Sequence, residues 1–468
     1  MHTESHNPAR LAVTFDDDRA VAGAGLALAG LLSVQLDLVA WADELVDLGD
    51  RPGHARPGRK VVTLVHAMVA GAECIDDCDV LRSGSTGSVL GHDVMAPSTL
   101  GTFLRAFTFG HVRQLDSFSE QMLTNAWDLG AGPSDAPMTI DIDSTIQQVY
   151  GKQKQGAAYG YTGVLGEHPL VATRADTGEV LHLRQRKGSA GSGRGAQRFV
   201  RETIGRSRRA GATGQLTLRA DSGFHSKHVV KACRDHDVRY SITVNQNNAV
   251  VRAIEAIPEE KWRDIDYTVG GQAQVAECAY GDGHRLVIRR TRLIGTQAQL
   301  FPSWPHHAFI TDREGTAVFD ADHRHHADHR HHAVVELAIR DLKEGAGVAH
   351  CPSGTFTANA AWSVLATLAH NMIRWVASLG LGDQGTVVAK TIRRKYIAMP
   401  GRLTHRSRRA QLHLPTAQED GHPHVALSGG LVPSIFCIRG ATNSKHTGVA
   451  RGPRAGRGLS WSVGGRPY

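Results

Sequence analysis

The stretch "PMTIDIDSTI" (137–146) alternates apolar and polar residues with the period of a β-strand, so Asp141 and Asp143 share one side of it and Ile140 and Ile142 the other. Downstream, "HPLVATRADTGEVLHLRQR" (168–186) reads as two more strands around the turn "ADTGE". Then come a helix in "AQRFVRETIGRSRRAG" (196–211), a strand in "GQLTLRADSGF" (214–224), a helix in "SKHVVKACRDHD" (226–237) and a strand in "RYSITVNQ" (239–246). Short strand-like pieces such as "AQVAECAY" and "RLVIRRTRLIG" fill 246–305, and "HHAFITD" (306–312) reads as a core strand returning. Two helices follow, "AVVELAIRDLKEG" (333–345) and the strongly apolar "ANAAWSVLATLAHNMIRWVASLG" (358–380). Three strands, helix, strand, helix, strand, insert, helix is an α/β order.

Upstream, residues 1–130 read as mainly helical, broken at the Pro- and Gly-rich "GDRPGHARPGR" (49–59), with Ser98 as an N-cap. The expected organisation is a helical region at 1–130, a core at 131–245 and 306–380, a β-rich insertion at 246–305, and a basic, partly disordered region at 381–468. The apolar stretch 20–36 follows "DDDR" and is shorter than the roughly 20 residues needed to cross a bilayer. It reads as a helix packed on a core, and the chain as a cytoplasmic, nucleoid-associated protein with no membrane partner.

The chain has 468 residues, six scattered cysteines and a net charge of +8. That cysteine usage is no disulfide framework, and "CIDDC" (74–78) lacks a second ligand pair with zinc spacing. From Leu381 onward there are 14 Lys/Arg against 3 Asp/Glu, or +11, which leaves −3 on the first 380 residues. A basic C-terminal end points to a polyanionic partner.

Acidic residues at strand ends converge while the backbone stays rigid. Asp141 and Asp143 lie on the first strand, Asp221 ends the strand "QLTLRA" before the turn residues Ser222 and Gly223, and Glu336 lies on the helix after the insert. Arg340 and Lys343 share Glu336's face at helical spacing, while Leu337, Ala338 and Leu342 are placed to pack inward. Three carboxylates from two strands and a helix can hold two divalent cations for phosphodiester chemistry.

"DIDST", "HPL", "LRADSGF" and the E-x6-K of "ELAIRDLK", in that order, resemble the DDE transposases of bacterial insertion sequences, over roughly 60–410. The resemblance is to the group whose RNase H-like mixed sheet, flanked by helices, is interrupted by a β-rich insertion. It implies Asp143, Asp221 and Glu336 as the catalytic, metal-binding triad, with Asp141 a neighbour that stays open. It also implies two magnesium ions, replaceable by manganese, terminal inverted repeats and target DNA as partners, and a homodimer in the DNA complex. DNA contacts are expected from Arg340, Lys343, Arg393 and Arg394; Trp262 is a candidate for stacking on a base, with plain packing the preferred reading for it. The family pattern Y-x2-R-x3-E-x6-K has His329 and His332 in place of its Tyr and Arg. That departure, with a Gly- and Arg-rich ending that suits an altered reading frame, leaves an inactive DNA-binding relic as the alternative function.

The tandem "ADHRHHADHRHH" (321–332) is a rival candidate. His323, His325, Asp328 and His329 give H-x-H-x-x-D-H, one residue longer than the metallo-β-lactamase pattern, with no convincing partners among the later histidines. A short duplication explains a perfect repeat more simply than a metallohydrolase site does.

Overall fold

The computed structural model describes residues 11–265, 270–293, 304–313, 333–381, 388–406 and 409–415. Its centre is a nine-stranded mixed sheet. Five strands form the core: β1 (Met138–Ser144), β2 (Leu170–Arg174), β3 (Val180–Arg184), β4 (Leu216–Ala220) and β5 (Val238–Thr243). They lie in the order β3-β2-β1-β4-β5, with β1, β2 and β3 antiparallel in succession and β1, β4 and β5 parallel. Parallel neighbours need crossovers, and the helices α6 (Ala196–Arg209) and α7 (Lys227–Arg234) supply them. This is the RNase H-like arrangement.

The segment after β5 does not begin with a strand. Asn247 caps a short helix α8 (Asn248–Glu255), its Oδ1 accepting from the amides of Ala249 and Val250. Then β6 (Arg263–Ile265), β7 (Gly271–Tyr280), β8 (His284–Leu293) and β9 (His306–Thr311) continue the same sheet, with β9 antiparallel to β5. The strands beyond 246 therefore share the ladder of the core.

The N-terminal helices are α1 (Leu26–Gln35), α2 (Leu38–Leu45), α3 (Pro57–Ala70), α4 (Pro97–Arg105) and α5 (Phe109–Ala126). At α4 the N-cap is Ala96 and Pro97 opens the helix, displacing the cap expected at Ser98, because a proline fits the first turn, where its missing N–H costs nothing. Among the described residues no single helix is long and apolar enough to cross a membrane; α1 and α2, which together are, meet at a bend of 57°.

After β9 come α9 (Ala333–Gly345) and α10 (Phe356–Trp375). Every residue of α10 from Ala358 to Trp375 is buried, the pattern of a helix enclosed on all sides. It packs on β3, α3, α4 and α5, and one apolar core runs from the N-terminal helices through the sheet. Polar groups fix the contact. Asn371 exchanges hydrogen bonds with the amide (2.7 Å) and carbonyl (2.8 Å) of Val180, and His370 bonds the Gly178 carbonyl at 3.0 Å. Buried Glu179 accepts from the indoles of Trp127 and Trp375. Burial raises the carboxyl pKa of Glu179 despite the opposing charge of Arg174.

The basic segment 389–413 forms a short helix, Ala389–Ile392, and the strand pair Gly401–Arg406 and Arg409–His413, which also pairs with Ala20–Val21.

Candidate active site

Strands β1 and β4 run parallel in a constant register, from Met138 opposite Leu216 to Ile142 opposite Ala220. The offset is 220 − 142 = 78, and 221 − 143 gives the same value, so the next step along both chains puts Asp143 beside Asp221 at the carboxyl ends of adjacent strands. Neighbouring strands are about 4.8 Å apart. Both aspartates are half-buried. Asp143 Oδ1 accepts from the Ser144 amide at 2.6 Å within the strand, and Asp221 Oδ1 from the Gly223 amide at 3.0 Å, capping the turn that follows β4.

Asp141 is a different kind of residue. It is fully buried and forms a two-point ion pair with Arg219, directly opposite on β4, at 2.7 and 2.8 Å. Sharing a face with Asp143 does not give it a share in a solvent-facing site, because the arginine takes both its oxygens.

Glu336 is exposed on α9, and α9 packs against β1 and β2. Arg340 is exposed on the same helix. Lys343 is half-buried and donates to the Ile146 carbonyl at 3.0 Å, tying α9 to the segment just past Asp143; burial lowers its pKa. The inward residues of α9 are Val335, Ala338, Ile339 and Leu342, whereas Leu337, expected inside, is 50% exposed. Among the described residues no three His, Cys, Asp or Glu side chains come close enough to hold a metal ion. The register sets Asp143 and Asp221 at adjacent strand ends, and Glu336 is exposed on a helix that packs on β1 and β2.

Two expected DNA contacts are occupied within the protein. Arg393 donates to the carbonyls of Met68 (3.1 Å), Val69 (2.9 Å) and Gly345 (2.5 Å), capping the ends of α3 and α9, and burial lowers its pKa. Trp262 is only 8% exposed and lies under the Arg290 guanidinium, 4.0 Å from the ring centroid. Its packing leaves no face for a base. Arg394, next to Arg393, is exposed. The histidine repeat, with His323, His325, Asp328, His329 and His332, lies outside the described residues.

The loop 187–195, "KGSAGSGRG", carries no prediction above, yet it bridges the two strand ends. Ser192 Oγ is 2.9 Å from Ser144 Oγ, and a Cβ on Gly223 would stand 2.9 Å from that of Ser192. Arg186 organises the loop from beneath: Nη1 donates to the carbonyls of Gly191 (2.9 Å), Ser192 (3.3 Å) and Arg194 (2.8 Å), and Nε to that of His168 (2.9 Å). Burial first, and the charge of Arg194 second, bring the Arg186 pKa down to about 10. The available sequence signal was a glycine- and serine-rich run just after β3.

This geometry can be set against known proteins. The family described as "Transposase DDE domain group 1" matches residues 4–425. The chain belongs to this family of DDE transposases. No curated protein matches it. Among solved structures it is similar to the piggyBac transposase in a synaptic complex with hairpin DNA, determined by cryo-electron microscopy, with a TM-score of 0.44, 13% identity, and 81% of this chain and 80% of that one covered. As a DDE transposase the protein is an enzyme of DNA transposition that binds DNA, cleaves it and transfers the cut strand, in a family that uses divalent metal ions.

Proposed function

We propose that this transposase cuts DNA at the terminal inverted repeats of an insertion element and joins the freed strand to target DNA, using Asp143, Asp221 and Glu336 as metal ligands. What carries the reading is the constant offset of 78 between β1 and β4, which sets Asp143 beside Asp221 with the Glu336 helix packed on β1. The donor set fits the group: carboxylate oxygens suit magnesium, which keeps much of its water and needs few protein ligands. Two such ions, with manganese able to replace them, supply activation of the attacking water or 3′-hydroxyl and charge neutralisation at the leaving oxygen.

The chain's own residues supply the rest. Asp143 and Asp221 are each held by a nearby backbone amide, so their oxygens are positioned before DNA arrives. Arg340, one helical turn from Glu336, offers a guanidinium to a phosphate beside the cut. Lys343 holds α9 to the Ile146 carbonyl and keeps its charge near the strand ends. Exposed Arg394 contributes a backbone contact away from the chemistry. A homodimer on paired ends lets one assembly cut both ends of the element.

The test is excision of a reporter flanked by the element's own ends, with magnesium, comparing wild type, Glu336→Ala and a variant lacking one ADHRHH copy. Excision by wild type that vanishes in Glu336→Ala is the expected result. Excision that persists in Glu336→Ala refutes the triad. Silence in wild type and both variants, with end binding retained, replaces the reading with that of an inactive DNA-binding relic.

A further inference from the structure

Between β1 and β2 the chain builds a small three-stranded sheet from Gln147–Gln148, Ala158–Tyr159 and Leu165–Glu167. Its connecting text, "VYGKQKQGAAYGYTG" (149–163), interleaves tyrosine with lysine, and no acidic residue occurs between Ser144 and Glu167. Tyr150 is 89% exposed, Tyr159 61% and Tyr161 77%. Folding ordinarily buries much of an aromatic ring, and several presented together mark a contact surface.

The flap is tied down. The Gln155 amide donates to the Gly354 carbonyl and the Gly188 amide to the Gly156 carbonyl, both at 2.9 Å, while Lys154 Nζ donates to the Cys351 carbonyl. Gly188 is a required glycine here, since a Cβ would run into the carbonyls of Gly166 and Ala158. Fixed backbone displaying exposed rings is a stacking platform.

At the root of the flap is a cleft of about 640 Å³. Ile146, Val149 and Tyr150 form an apolar wall, Lys154 and Lys343 bring positive charge, and His350 lines the cleft beside them. The acidic Glu73 at its rim is paired with His350 Nε2 at 3.2 Å. That volume lies in the range of a small-molecule or nucleotide pocket. The cleft also begins where the candidate site ends, for Ile146 follows Asp143 by three residues and Lys343 follows Glu336 by seven on one helix.

We propose that this cleft holds an unpaired nucleotide of the DNA next to the cut, its base stacked on Tyr150 and its phosphate between Lys154 and Lys343. Duplex DNA keeps its base faces inside its own stack, so an aromatic ring reaches one only where the strand is unpaired or a base is extruded. Each lysine is tethered by one carbonyl, which fixes where its charge sits. The assignment rests on the transposase reading for its ligand.

The experiment is fluorescence anisotropy of the full chain in EDTA, so that binding is read without cleavage and the fate of the carboxylate triad does not enter. The probes are a fluorescein-labelled oligothymidylate about 12 nucleotides long, within the site size of known single-strand platforms, and a blunt duplex of equal length. Tyr150→Ala is expected to weaken single-strand binding on the order of tenfold, the worth of one stacked base, with duplex affinity changed less than about twofold. Tyr150→Phe, which keeps the ring, is expected to match wild type. No change in Tyr150→Ala, an equal loss on both probes, or a Tyr150→Phe as weak as Tyr150→Ala would each overturn the proposal.

Discussion

Asp141 and Arg219 stand directly opposite each other on β1 and β4 and pair through two hydrogen-bonded contacts, with both side chains at most 2% exposed. Two residues further along β1, Asp143 meets solvent beside Asp221. The first pair is a lock between the two strands; the second lies at their half-buried ends, where the proposed metal ligands sit. One alternating strand thus carries one aspartate that is fully buried and one that is half-buried.

Removing the charge at each position separates these roles. Asp141→Asn removes the charge of the two-point partner of buried Arg219, and breaking a buried pair costs about 3–5 kcal/mol. Asp143→Asn removes a half-buried carboxylate with solvent access, and is expected to change stability by about 1 kcal/mol or less while abolishing cleavage. Urea denaturation of the two variants, with a cleavage assay at saturating magnesium, decides it. Equal stability losses would remove the distinction.

Arg393 and Arg394 make a second contrast. Arg393→Ala strips donors from three backbone carbonyls, and a hydrogen bond from a charged group contributes about 1.5–3 kcal/mol, so the variant should unfold at clearly lower denaturant. Arg394→Ala should fold as wild type but bind duplex DNA more weakly, with the slope of log affinity against log salt smaller by about 1. A wild-type salt slope in Arg394→Ala would exclude a phosphate contact there.

His66 sets an acid limit on the N-terminal helices. Its ring is fully buried on α3, with Nε2 2.8 Å from Ser33 Oγ and Nδ1 2.9 Å from His92 Nε2. Burial, then the neighbouring His92, pushes its pKa down to about 3. The unfolded chain takes a proton near pH 6.5 while the folded chain refuses it until about 3, so stability falls as pH drops through that window. The loss is about 1.4 kcal/mol per pH unit once below 6.5. The raised carboxyls of Glu167 and Glu179 act with the opposite sign, so the quantity to measure is the difference from His66→Gln. Wild type should lose stability faster than His66→Gln between pH 6 and about 4; parallel curves would show that the ring protonates without unfolding.

The core was legible because its signals are local. Alternation in 137–146, the turn at "ADTGE" and the apolar run of α10 each fix an element without reference to the rest of the chain. That Asp143 and Asp221 fall at the carboxyl ends of strands was legible for the same reason. What escaped depended on pairings distant in sequence. Whether Asp141 or Asp143 faces solvent is decided by Arg219, 78 positions on, and Arg393 is consumed by carbonyls of α3, more than 300 positions earlier. Trp262 lies under Arg290, a partner 28 positions on that belongs to the β7–β8 hairpin. The flap at 147–167 and the loop at 187–195 lack periodicity, and only their Tyr/Lys and Gly/Ser/Arg compositions hint at use.

Arg186 offers the sharpest test of that loop. Its planar guanidinium gathers the carbonyls of Gly191, Ser192 and Arg194, and so fixes Ser192 against Ser144 and Gly223 between the two aspartate-bearing strand ends. A lysine is a point charge on a flexible stem and cannot reproduce that fork. Arg186→Lys is therefore expected to fold, to bind duplex DNA as wild type does, and to cut it more slowly on the order of 10²-fold, the effect of displacing a reacting group by about 1 Å. Single-turnover cleavage across a magnesium titration checks this: the maximal rate should fall while the half-saturating magnesium concentration stays within about twofold. A shift in the magnesium dependence at unchanged maximal rate would instead make Arg186 a support of the metal ligands and not of the loop.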